Sequence, residues 1–114
     1  MCLITGGDGM AASHMITIEV ALPPEQAEAA LYQAFCNAGI KAVNGGGGYL
    51  RGITKTGWRS WGENVEAWIG PGPRGATVQL RSACSLPTQV VDWGKNRQNV
   101  ELVVEAVHLL APVV

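Results

Sequence analysis

The chain has 114 residues, 47% of them hydrophobic and 15% charged, with eight Lys+Arg against nine Asp+Glu and a net charge of -1. That length suits one domain with its own core, and the apolar content excludes a disordered tail. The charge balance counts against nucleic acid as a partner, because non-specific binding rests on basic residues that neutralise phosphates.

Three cysteines, Cys2, Cys36 and Cys84, are an odd number without CxxC spacing. Neither a disulfide scaffold nor a paired-ligand zinc site fits that pattern. They read instead as small buried hydrophobes in a reducing, cytoplasmic setting. The apolar runs are too short to span a bilayer, so no membrane partner is expected. Met1 to Met15 lacks the basic start and apolar stretch of a signal peptide. Its Gly6-Gly7-Asp8-Gly9 is flexible, and Ser13-His14-Met15 looks like a cloning junction. The expected organisation is a leader or tag over 1–14 and a single α+β domain over 15–114.

In chain order, Ile16, Ile18, Val20 and Leu22 alternate with Thr17, Glu19 and Ala21, which predicts a strand with one face on a core. Pro23-Pro24 ends it and opens a helix, since proline is tolerated in a first turn. Glu25 and Glu28 favour the positive end of that helix. Ala27, Ala30, Leu31, Ala34, Phe35 and Ala38 form its apolar stripe. Gly39 suits the left-handed position after the helix, with Ile40 as its hydrophobic follower.

Lys41 to Asn44 has no clear period. Gly45-Gly46-Gly47-Gly48 loses much chain entropy on ordering, which predicts a flexible connection rather than regular structure. It is no phosphate loop either, lacking a following Gly-Lys-Ser/Thr and a helix. Tyr49 to Thr56 and Asn64 to Ile69 read as strands. Gly70 to Gly75 is a turn, and Ala76 to Ser85 completes an antiparallel hairpin, with Val78, Leu80, Ser82 and Cys84 on one face. A last helix starts between Asp92 and Asn96, both good N-cap types. It runs to Ala111 with Val100, Val103, Val104, Val107 and Ala111 in phase. The order is β-α-β-β-β-α, an α+β two-layer sandwich with an antiparallel sheet and two helices on one face.

Two segments combine tryptophan, glycine and charge: Trp58-Arg59-Ser60-Trp61-Gly62-Glu63 and Asp92-Trp93-Gly94-Lys95-Asn96-Arg97. In this layout they meet at one end of the sheet. There Trp58, Trp61 and Trp93 can stack on a ligand, while Arg59, Lys95 or Arg97 binds an anion near a helix N-terminus and Glu63 and Asp92 add carboxylates. The plainer reading keeps Trp58, Trp61, Trp68 and Trp93 as core residues and Arg97 with Glu101 as a surface pair. For nucleophilic chemistry the candidates are thin. Cys84 with His108 is one pairing, but His108 falls on or beside the apolar stripe and reads as a packed side chain. No cofactor or metal is implied.

The run from Ser60-Trp61-Gly62-Glu63 through Arg81-Ser82 to Leu86-Pro87-Thr88-Gln89 and Asp92-Trp93-Gly94-Lys95-Asn96-Arg97-Gln98-Asn99-Val100-Glu101 resembles the C-terminal half of small uncharacterised bacterial proteins. In those a SWGE segment starts a hairpin and an LPTQ..DWGKNR.NVE segment leads into the final helix. The resemblance implies that Trp61, Asp92, Trp93, Gly94 and Asn96 share one structural corner, and it carries over no catalytic residue or ligand.

The expected function is a non-catalytic module that binds a small molecule or a protein, with a homodimer through the half-covered sheet. The alternative is a small enzyme at the Trp61, Glu63, Asp92 and Lys95 corner. An RNA-binding domain has the right element order but lacks a basic helix end.

Overall fold

The computed structural model describes residues 13–54, 62–84 and 95–111. Among these the chain forms β1 (Ser13–Val20), α1 (Pro24–Asn37), β2 (Lys41–Gly46), β3 (Tyr49–Ile53), β4 (Glu63–Gly72), β5 (Gly75–Cys84) and α2 (Lys95–Leu110). The strands make one antiparallel sheet in the order β1-β5-β4-β3-β2. Both helices pack on one face, α1 over β2, β3 and β4 and α2 over β1 and β5. This is the expected α+β two-layer architecture, with one strand more than the sequence predicts.

β1 and β2 lie at opposite edges of the sheet although they are consecutive strands. The link between them must cross four inter-strand spacings, about 19 Å at about 4.8 Å each. α1 has 14 residues, about 21 Å at 1.5 Å per residue, so one helix suffices for the crossing. Its stripe buries Ala27, Leu31, Ala34 and Phe35, with Phe35 fully enclosed. Pro23 is the N-cap and Pro24 begins the helix. At the other end the Gly39 N–H donates to the Cys36 carbonyl (3.1 Å) and the Ile40 N–H to that of Phe35 (3.0 Å). With Gly39 at φ +85°, this is the Schellman stop, and Ile40 returns to the core beside Phe35.

The extra strand is where sequence and structure diverge most. Gly45 and Gly46 end β2, and Gly47 and Gly48 are the two-residue turn into β3. The turn takes φ +64° and +93° at these two residues, the positive pair that tight hairpins require and that glycine adopts without a steric penalty. A Cβ on Gly48 would lie 2.7 Å from the Ile69 carbonyl oxygen. Glu28 on α1 accepts the Gly48 N–H at 2.6 Å and clasps the hairpin to the helix layer. The flexible-connection reading is therefore corrected: the entropy lost by the glycines is offset by a ladder that no other residue type can close here.

Three further expectations need correction. Cys36 is exposed rather than buried, because it stands one residue out of phase with the stripe through Phe35. His108 is exposed in the last turn of α2, beside buried Val107 but turned to water. Trp68 is half-buried on the outer sheet face, its ring 5.7 Å from that of Tyr49, and so is not a residue of the helix-side core. Ser13 and His14, assigned to the leader, form the first two residues of β1; residues 1–12 lie outside the described chain.

Phe35→Ala is expected to cost about 3–5 kcal/mol, the range for emptying a fully buried aromatic site; urea melts measure this. Gly48→Ala is expected to cost about 1–3 kcal/mol from positive-φ strain, where Cys36→Ser leaves the midpoint essentially unchanged.

Candidate functional site

At one end of the sheet the inward face turns polar. Glu63, first residue of β4, and Ser82 of β5 lie in phase with Val65, Ala67, Val78 and Leu80, so both point toward the helices. Glu63 is 1% exposed, Ser82 and Asn96 0%. Buried polar groups of this kind need partners, and α2 supplies them. Asn96 and Asn99 are three residues apart and share a helix face, continuing the stripe of Val100, Val103 and Val107 into the first turns.

The connections form a chain. Thr54 Oγ1 donates to Glu63 Oε1 at 2.9 Å, and the Glu63 N–H donates back to Thr54 Oγ1 at 2.8 Å. Asn99 Nδ2 donates to the same Oε1 (2.9 Å) and to Ser82 Oγ (3.1 Å). Ser82 Oγ in turn donates to Asn96 Oδ1 at 2.8 Å. Asn96 thus lies inside α2 and binds the sheet, which corrects its reading as a helix cap.

The described residues that flank 55–61 and 85–94 lie at this corner. The Thr54 N–H donates to the Glu63 carbonyl at 3.0 Å. Glu63 pairs with Cys84, the last residue of β5, and Lys95 begins α2. Of the eight residues singled out from sequence, Trp58, Arg59, Trp61, Asp92 and Trp93 lie outside the described residues. Glu63 sits at the centre of the polar chain. Arg97 is exposed and pairs with Glu101 at 3.7 Å across one helical turn, an arrangement that adds under about 0.5 kcal/mol. Thr54, Ser82 and Asn99 were not singled out. The signal for Ser82 and Asn99 was a polar side chain in phase with an apolar stripe, which must bury a partner with it.

A cavity of about 270 Å³ opens beside this chain. Thr54, Glu63, Gln98 and Asn99 give it polar walls, and Ile40 and Leu102 an apolar floor. Among the described residues no group of three His, Cys, Asp or Glu side chains is placed to share a metal ion, and no helix is long and apolar enough to cross a membrane.

The outer face of the sheet carries a second polar set. Tyr49 Oη donates to Glu66 Oε2 at 2.7 Å, and Arg81 Nη1 donates to Glu66 Oε1 at 3.0 Å. The hydrogen bond to Glu66 raises the Tyr49 pKa above its usual 10.0, with burial and the Glu66 charge adding to it and Arg51 opposing.

Ser82→Ala removes both the donor to Asn96 and an acceptor for Asn99, and is expected to cost about 1–3 kcal/mol in urea melts. For Tyr49 the folded pKa exceeds the unfolded one, so its contribution to stability is complete below pH 10.0 and is lost as pH rises through the folded value. In Glu66→Gln the phenolate absorbance is expected to appear at lower pH than in the parent chain. Compared with known proteins, the chain matches no protein-family model and no curated sequence.

Proposed function

We propose that this chain is a non-catalytic ligand-binding module that takes a small polar molecule at the corner of Thr54, Glu63, Gln98 and Asn99. The observation that carries the reading is the cavity itself, with hydrogen-bonding walls over an apolar floor of Ile40 and Leu102. That mixture of a few polar groups and apolar surface is the usual make-up of a small-molecule site.

The enzyme alternative, through Trp61, Glu63, Asp92 and Lys95, has less support. Glu63 Oε1 already accepts from Thr54 and Asn99, whereas a general base needs an oxygen within reach of the substrate's proton. The reading extends to a reducing cytoplasm, supported by the exposed thiol of Cys36. It extends also to kinship with the small bacterial proteins that share the SWGE and LPTQ..DWGKNR.NVE segments. A second copy is assigned to the outer sheet face, where Met15 and Ile53 are exposed.

Tryptophan fluorescence titrated with a panel of small polar metabolites tests the proposal. A saturable change is expected, weakened about fivefold in Gln98→Ala by the loss of one hydrogen bond, with the melting temperature unaltered. A panel that leaves the fluorescence flat, or binding indifferent to Gln98, overturns it. Turnover of the bound compound that Glu63→Gln abolishes while binding persists establishes the enzyme instead.

A further inference from the structure

We propose that the outer edge of β1, with the groove between β1 and α2, receives an extended basic peptide as an added strand. The two sheet edges are built differently. Proteins protect an edge strand with short length, lysine or a bulge, since its unpaired N–H and C=O groups otherwise template another chain. β2 has all three protections: it has six residues, begins at Lys41, and shifts register between Lys41 and Asn44, with Ala42 at φ +54°. β1 has none. It runs eight residues without proline or lysine, and its register with β5 is unbroken from Ser13↔Ala83 to Val20↔Ala76. Among the described strands it pairs with β5 alone.

Beside that edge lies a groove of about 510 Å³, lined by Ile16 from β1 and by Gln98, Glu101, Leu102, Val104 and Glu105 from α2. An added strand places alternate side chains on the face where Ile16 stands, hence over this groove. Leu102 is 43% exposed and offers a seat for an apolar side chain. Glu101 and Glu105, one helical turn apart and both exposed, attract a lysine or arginine two positions along the strand. Arg97 offsets only part of this charge, from a water-exposed pair with Glu101. A second copy is the poorer occupant. Edge-to-edge pairing about a two-fold axis sets α2 beside its own counterpart, bringing Glu101 and Glu105 toward the same residues of the other copy. The groove adjoins the corner cavity, with Gln98 and Leu102 in the wall between them, but strand addition at β1 does not depend on a ligand in that cavity.

The probe is a fluorescein-labelled peptide, Ile-Thr-Lys-Thr-Ile-Thr-Lys-Thr, followed by fluorescence anisotropy against the intact chain. Saturable binding is expected, about tenfold weaker when glutamate replaces both lysines. The exposed double variant Glu101→Lys/Glu105→Lys is expected to reverse that preference. N-methylation of alternate peptide bonds abolishes binding if main-chain pairing carries it, and amide exchange of alternate β1 residues slows when the peptide binds. Equal affinity for both peptides, indifference to N-methylation, or no binding overturns the proposal. So does concentration-dependent protection of β1 without peptide, which assigns the edge to a second copy.

Discussion

The crossing of α1 from one sheet edge to the other is the constraint on which the rest of the fold depends. Because β1 and β2 flank the sheet from opposite sides, the helix between them lies over its middle and far strands, held by Leu31 and Phe35. That leaves the strip above β1 and β5 bare, and α2 fills it with Val100, Val103 and Val107. The end of α1 and the first turns of α2 then meet over the sheet's rim. The corner cavity is bounded by just these pieces: the Schellman turn, the ends of β3 and β4, and Gln98 to Leu102. A site at that position follows from where the helices run out.

The helices were legible because each buries one side chain per turn against a flat surface, and such a pattern survives in a single sequence. The failures have physical causes. β2 contributes Val43 as its one half-buried apolar side chain and is otherwise exposed, so no alternation marks it. The four glycines look costly when only their own entropy is counted; the pairing that offsets it comes from Leu50 and Tyr49 across the hairpin. Asn96 is a good cap by local preference, yet its oxygen binds Ser82 on the sheet, a tertiary contact that overrides it. Cys36 and His108 each adjoin a buried residue and miss the core by one position, which a stripe read at three- and four-residue spacing does not resolve.

The polar rim would bury as well if it were apolar, and an apolar rim would avoid the desolvation of a carboxylate. What the hydrogen-bonded version adds is direction. A one-residue slip between β4 and β5 would carry Glu63 or Ser82 to the outer face and strip Asn99 of one of its two acceptors. Valines at the same positions tolerate such a slip far better, since any apolar neighbour serves. The chain through Thr54, Glu63, Asn99, Ser82 and Asn96 thus ties the first turns of α2 to one register of the sheet.

The partnership of β1 with β5 has a bearing on how the chain is made. Ser13 pairs with Ala83 and Val20 with Ala76, so β1 leaves the ribosome well before the strand it pairs with. Until then Ile16 and Ile18 face water with only α1 and the inner hairpins available behind them. Contacts so distant in sequence close slowly, and an unpaired apolar strand is the sort of surface that nascent-chain chaperones bind. Vectorial synthesis therefore leaves this sheet incomplete until β5 has emerged.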